Sequence, residues 1–407
     1  MWQESSETVV PLRSGLTTGS CATACCVAAC QVLFAKQYPK SVEITLPRGK
    51  IVTLDIVDYQ LLKADCQLSD DAQQLSQGVR VATIKDAGDD PDATHGATLF
   101  VQLRLTSAAG ITFKAASGVG TVTKTGLLLD VGEPAINPVP RKMMTEHLEN
   151  YAKTHQYQGG FEVSVGVVNG EQIAEKTMNG RLGILGGLSI LGTTGIVRPY
   201  SCAAYIASIR QGVDVAASNN ISHIAASTGS SSEAAIKTYY QLADTALIEM
   251  GDFVGALLKH LKKGQVSKLS ICGGFGKMTK LAQGELDLNS RKSSIDFEFL
   301  ADCARQLQVQ VNAEQRVANQ HLDLAKQDQQ QLLVEILAAN TSIEVLQKCS
   351  AAGLELANMI CKLAQFQAQK IVASDVEVEV FAINRQGKMI ASFPEHLTVS
   401  SSQEKSS

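Results

Sequence analysis

The chain lacks a strong charge of either sign. Its 407 residues carry 36 Lys and Arg against 40 Asp and Glu, a formal net charge of -4. That balance excludes a general electrostatic attraction for nucleic acid or an anionic membrane surface. The start, M-W-Q-E-S-S-E-T, lacks the basic-then-apolar pattern of an export signal. The apolar ribbon between Arg181 and Arg198 is too short to cross a bilayer comfortably, and five glycines interrupt it. A cytoplasmic chain is expected, with its ten cysteines as reduced thiols. Two nucleotide signatures are missing as well. From Gly118 the pattern G-x-G-x-x-G fails because its sixth position is Thr123. The stretch C-G-G-F-G-K-M-T-K at 272–280 misses the Walker spacing and has Met278 where a hydroxyl should follow Lys277, so nucleotide hydrolysis is not expected.

Proline is scarce, nine in all, yet Pro134, Pro138 and Pro140 crowd into G-E-P-A-I-N-P-V-P-R at 132–141. Proline fixes its own φ and pushes the preceding residue toward extended geometry. The segment is therefore expected to be neither helix nor central strand, but a stiff loop carrying Glu133, Asn137 and Arg141. A Pro-rich linker would look the same.

The length suggests two domains. In the first half, strands are expected at 42–47, 51–59, 78–85, 98–106, 111–116 and 161–168, with helices at 21–36 and 141–152, an α+β pattern with a mixed or antiparallel sheet. In the second half, strands at 221–226 and 268–272 each run into a turn and a helix. Helices at 331–338 and 343–370 follow, then strands at 376–383 and 389–393. Repeated strand–turn–helix units predict a parallel sheet with covering helices. The domains are placed at 8–197 and 198–396, with a disordered tail at 397–407. The strand edge at 376–381 is a candidate for pairing between subunits as a homo-oligomer.

Several constellations could carry chemistry. Thr17, Thr18 and Ser20 precede the first helix, where hydroxyls cap and free amides attract anions; an ordinary N-cap explains them equally. Cys21, Cys25, Cys26 and Cys30 lie on adjacent stripes of that helix among alanines and read as small buried thiols. The stretch K-D-A-G-D-D-P-D-A-T-H-G at 85–96 fails the EF-hand spacing. With Asp86, Asp89, Asp90, Asp92 and His95 on offer, it leaves open a metal site, an acid/base or hydrogen-bonding role centred on His95, or a solvated acidic turn. The hairpin S-G-V-G-T-V-T-K-T-G at 117–126 adds Lys124, and the glycine ribbon at 179–198 adds Arg181, Thr193, Thr194 and Arg198. Thr228-Gly229 and the 272–277 turn sit where ligands meet parallel sheets.

Taken in order, six segments resemble one family, the cobalt-precorrin-5B C1-methyltransferases of anaerobic cobalamin biosynthesis. They are L-R-S-G-L-T-T-G-S-C-A from Leu12, K-D-A-G-D-D-P-D-A-T-H-G from Lys85 and G-V-G-T-V-T-K-T-G from Gly118. V-G-E-P-A-I-N-P-V-P-R from Val131, N-G-R-L-G-I-L-G-G-L-S-I-L-G-T-T-G-I-V-R-P from Asn179 and G-K-M-T-K-L-A from Gly276 complete the set. The chain departs from relatives at A-S-T-G-S-S-S-E from Ala226, at G-E-L-D-L-N-S from Gly284 and at Arg198-Pro199-Tyr200.

The resemblance implies an α/β Rossmann-like carboxyl half, S-adenosylmethionine as methyl donor, and a cobalt tetrapyrrole acceptor methylated at C-1 to give cobalt-precorrin-6A. Cobalt would enter only as part of that substrate; no protein-bound metal is expected. The acceptor's rim carboxylates would meet Lys124, Arg141, Arg181, Arg198 and the Thr17, Thr18 and Ser20 helix start, with Glu133, Asn137, Thr193 and Thr194 nearby. His95 or Asp89 would manage a ring proton. Thr228, Gly229, Gly273, Gly274, Gly276 and Lys277 would seat the donor. Transfer from a sulfonium erases a charge as it proceeds, so positioning and exclusion of water suffice without a nucleophile triad. A non-catalytic tetrapyrrole carrier would share these loops but not bind the donor, and the absent G-x-G-x-x-G counts against a nicotinamide-dependent corrinoid reductase.

Overall fold

The computed structural model describes residues 11–62, 78–317 and 326–395. The expected tail at 397–407 lies outside the described residues. The chain divides between Cys202 and Ala203 into two compact units.

The first unit is built around the helix Thr18–Ala35. Thr17 caps its start by accepting from the Ser20 amide, and Lys36, in the left-handed region at φ 55, closes its end. Alanine and cysteine leave it no polar face, the pattern of a helix enclosed by protein. Every apolar residue from Cys21 to Cys30 is at most 4% exposed, so the buried-thiol expectation holds. The uncharged run at 14–35 is longer than the 182–197 ribbon, and by length and composition this helix could cross a bilayer, yet 78% of it is buried inside the unit. It packs against the strands Ser41–Thr45, Gly78–Ile84 and Thr98–Thr106 and the helix Pro138–Thr154.

The main sheet of this unit runs in the order Asp58–Leu62, Gly78–Ile84, Thr98–Thr106, Gly160–Val167, Ile111–Ala115. All its pairs are antiparallel except the last, so the sheet is mixed. Two expectations are corrected here. The single strand expected at 51–59 is two, Ile51–Asp55 in a hairpin with Ser41–Thr45 and Asp58–Leu62 at the sheet edge. The Ile56 amide donates to Lys40 O and the Val57 amide to Ala82 O, which redirects the chain from one sheet to the other. Helix also begins at Pro138 rather than Arg141. Prolines in a first turn forfeit only amides that have no intrahelical acceptor, and their fixed φ suits that position.

The second unit holds a five-stranded sheet in the order Leu247–Glu249, His223–Ser227, Lys268–Gly274, Glu377–Ile383, Met389–Phe393. The first four are parallel and the last is antiparallel. In chain order this is 2-1-3-4-5, a doubly wound sheet whose order reverses between His223–Ser227 and Lys268–Gly274. Helices cover both faces, giving buried clusters around Ile224 and Ile271 on one side and around Ala225 and Phe381 on the other. The expected helix at 343–370 is broken into Ser342–Ala351 and Leu356–Gln369, with Gly353 at φ 70 between them. Glu377–Ile383 is hydrogen-bonded on both sides, so the edge expected at 376–381 is interior and gives no basis for pairing between subunits.

Candidate functional site

In the first unit, three distant segments close into a clasp. The pair Gly15–Leu16 bonds antiparallel to Ile196–Val197, and the Leu16 amide donates to Asp86 O. Gly15 and Gly88 cross so closely that a Cβ on Gly15 would lie 2.0 Å from the Ala87 carbonyl carbon, and one on Gly88, at φ +69, would lie 2.1 Å from Arg13 O. Only glycine fits such a crossing.

Arg13 then pairs bidentately with Asp86, its second guanidinium nitrogen donating at 2.9 Å, while its backbone amide donates to Asp89 Oδ2 at 2.6 Å. The Arg13 guanidinium, aided by the Gly88 amide, holds the Asp86 carboxyl down at about 2. Asp90 Oδ1 accepts from the Tyr200 amide at 2.8 Å. Lys85, only 1% exposed, pairs with Asp92 at 2.5 Å. Burial alone would raise the Asp92 carboxyl, but the hydrogen bonds from Lys85 and Thr94 outweigh it and hold the group low. Asp86 and Asp89 thus hold the segment at Arg13, Asp90 holds the one at Tyr200, and Asp92 braces the acidic loop itself.

His95 Nδ1 accepts from the Ala87 amide at 3.1 Å, and the side chain is 52% exposed. An imidazole that accepts at Nδ1 carries its neutral-state proton on Nε2. His95 therefore keeps an N–H donor at Nε2, while its Nδ1 lies 3.9 Å from Asp86 Oδ1.

The hydroxyls at the first helix start have internal partners. Ser20 Oγ donates to Gly195 O at 2.8 Å, and Thr18 Oγ1 donates to Leu191 O and accepts from the Leu191 amide. Thr17, Thr18 and Ser20 are buried. They fix the ribbon 191–195 rather than face solvent, and leave Thr193 and Arg198 exposed along its outer side, with Thr194 half-buried. The same ribbon touches the Pro-rich loop, since the Asn137 amide donates to Ile190 O at 2.9 Å. Arg141 braces that loop, donating to Ile136 O at 2.7 Å and Pro134 O at 3.1 Å and pairing with Glu133 at 2.6 Å. Asn137 stands at the N-cap of the helix it precedes, yet its side chain makes no capping bond. The stem of Lys124 lies over Gly183, two residues beyond Arg181 in the chain. A hollow of about 450 Å³ in this unit is lined instead by Glu43, Thr45, His147 and Tyr151.

In the second unit, the two strands flanking the order reversal end side by side. Ser227 leads through Thr228 and Gly229 into the helix Ser230–Tyr240; Gly273 and Gly274 lead into Phe275–Ala282. The Thr228 amide donates to Cys272 O at 3.1 Å, joining the junctions. A Cβ on Gly273 would meet Met278 and Thr228, whereas Gly229 and Gly274 have nothing within 4 Å of that position. Gly276 lies in the first turn of the second helix, against Ser342. Lys277 pairs with Asp252 at 2.8 Å and donates to Thr228 O at 3.3 Å. Ser227 Oγ is buried without a hydrogen-bond partner.

Sequence reasoning passed over Arg13, Ser227 and Asp252. Arg13 lay inside the quoted motif from Leu12, but its partners are set by chain crossing rather than by spacing.

The family model described as CbiD matches residues 5–199, and the CbiD C-terminal domain model matches 320–393. The chain is 58% identical over 402 residues to the cobalt-precorrin-5B C(1)-methyltransferase of Marinomonas sp. strain MWYL1, covering 96% of each. It is 53% identical over 390 residues to the protein of that name from Pseudomonas syringae pv. syringae strain B728a, covering 96% of this chain and 97% of the relative. A crystal structure of cobalamin biosynthesis protein (cbiD) from Archaeoglobus fulgidus aligns at 25% identity and TM-score 0.36, over 69% of this chain and 83% of that one.

Proposed function

The chain belongs to the CbiD family, and from that premise we propose that it methylates C-1 of cobalt-precorrin-5B, with S-adenosylmethionine as the donor. The observation that carries this is full-length identity above half to proteins bearing that name. Cobalt belongs to the substrate. The donor supplies an electrophilic methyl on a sulfonium.

The Rossmann-like second unit is the donor-binding half. A buried hydroxyl without a partner at Ser227 and two glycines with open space above them suit a ligand at the order reversal. The start of the 11-residue helix at Ser230 offers amides to the donor's carboxylate. Asp252 neutralises Lys277, so that cation does not repel the sulfonium and acts by fixing the two junctions together.

The first unit is the acceptor-binding half. Arg198, Lys124 and the Nε2–H of His95 are donors for rim carboxylates. Glu133 and Arg141 hold the Pro-rich loop that presents Asn137. His95 in this tautomer holds a proton rather than removing one. Asp89, which accepts from Arg13, is the better placed group to take a proton from the macrocycle edge.

Anaerobic incubation of the purified chain with cobalt-precorrin-5B and methyl-labelled S-adenosylmethionine tests the reading. Label is expected on the tetrapyrrole, one methyl per turnover. Tight binding of the tetrapyrrole with no label transferred, or turnover that needs NADPH instead, would refute it.

A further inference from the structure

We propose that Glu249 holds the ribose of the methyl donor, its carboxylate accepting from the two ribose hydroxyls. This rests on the donor site proposed above and adds a residue and a ligand group to it.

Glu249 ends the edge strand Leu247–Glu249, at the same carboxyl edge as the glycine junctions. Its register partner across the parallel pair is Ser227. Partners in register point to one face of a sheet. The exposed carboxylate and the buried, unpartnered Ser227 hydroxyl therefore share a face at the strand ends. The Met250 and Gly251 amides both donate to Ser227 O, at 2.9 and 3.2 Å, which ties the turn after Glu249 to the first junction. Among the described residues, the Glu249 carboxylate has no hydrogen bond or ion pair, unlike Asp252 beside it.

The chemistry of the ligand follows from the charges. Glu249, Asp252 and Glu233 all lie close enough to the half-buried Tyr205 phenol to add to the effect of burial, which together push it up to about 12. Glu249, which has no cation paired with it among the described residues, disfavours a phosphate at this edge and suits a nucleoside that carries net positive charge. A carboxylate offers two acceptors, and a ribose diol two donors, in matching geometry. An acidic side chain one strand away from the helix start is where a doubly wound sheet meets the sugar of a bound nucleoside. The helix start at Ser230 is left for the donor's own carboxylate.

Calorimetry on the full chain with S-adenosylhomocysteine and its 2′-deoxy analogue decides the matter. Glu249→Gln keeps the size of an exposed side chain, and an unchanged thermal midpoint checks that it folds. It is expected to weaken S-adenosylhomocysteine about thirtyfold, the scale of lost hydrogen bonds to a charged acceptor. The 2′-deoxy analogue should bind the wild-type chain more weakly than the parent, and this penalty should largely vanish in Glu249→Gln. Unchanged affinity in the variant, or a deoxy penalty that persists in full, overturns the role of Glu249 and leaves the donor site standing. Failure of the wild-type chain to bind S-adenosylhomocysteine overturns the donor site itself.

Discussion

At the scale of single residues, the ion pair between Arg13 and Asp86 shows how a position without a local signal becomes central. The partners stand 73 residues apart. Nothing in the spacing of L-R-S-G announces where Arg13 points; only the crossing of Gly15 and Gly88 brings it to the acidic loop. The pair also sets a pH window. Asp86 sits at about 2 in the fold against an ordinary 3.8, because of Arg13 first and the Gly88 amide second. A depressed carboxyl stabilises the folded state fully above its unfolded value, and that contribution disappears as the pH falls from about 4 through about 2. Arg13→Ala should therefore raise the Asp86 midpoint toward 3.8 in a carbon-detected NMR titration. A midpoint that stays near 2 would transfer the effect to the Gly88 amide.

At the scale of elements, the helix Thr18–Ala35 was legible because small apolar residues fill it and hydroxyls precede it. Burial raises its thiols: Cys21 is pushed up to about 12, and Cys25 and Cys26 are also moved well above the ordinary range by burial. A protonated, enclosed thiol is a poor nucleophile. Iodoacetamide at pH 8 should thus label the exposed Cys202 in the native chain and leave Cys21, Cys25, Cys26 and Cys30 unmodified until denaturant is added, as peptide mass spectrometry can follow. Native labelling of the helix thiols would mean that this helix opens readily. Other elements were hidden for physical reasons. Proline's helix-breaking habit concealed a helix start at Pro138, where the missing amide costs nothing. Apolar periodicity ran on through Gly353, whose left-handed φ divides two helices. The edge expected at 376–381 is interior because Met389–Phe393 turns back to pair with Glu377–Ile383.

At the scale of the whole molecule, the two units carry different kinds of loop, and this makes a division of labour testable. The first unit's loops are knotted together by ion pairs and buried hydroxyls; the second unit's junctions keep open glycines. Gly274 has φ -62 and ψ 146, which any residue adopts, and an added Cβ there meets nothing within 4 Å. Backbone angles and space do not require glycine there, and its place as the N-cap of Phe275–Ala282 is a modest preference over alanine. Replacing a glycine at such a site with alanine leaves stability unchanged or raises it by about 0.4–1 kcal/mol, through the unfolded chain. If the donor lies over that position, the new methyl group intrudes on the ligand instead. Gly274→Ala should leave the thermal midpoint within a few degrees, the unfolded-chain gain offsetting the weaker N-cap, weaken S-adenosylhomocysteine by about tenfold or more, and leave affinity for the tetrapyrrole unaltered. His95→Ala should do the reverse, weakening the tetrapyrrole by about tenfold while the donor binds as before. Full donor affinity in a well-folded Gly274→Ala chain would remove this junction from the donor site. Loss of both affinities in either variant would mean that donor and acceptor depend on the same residues, and that assigning one ligand to each unit is mistaken.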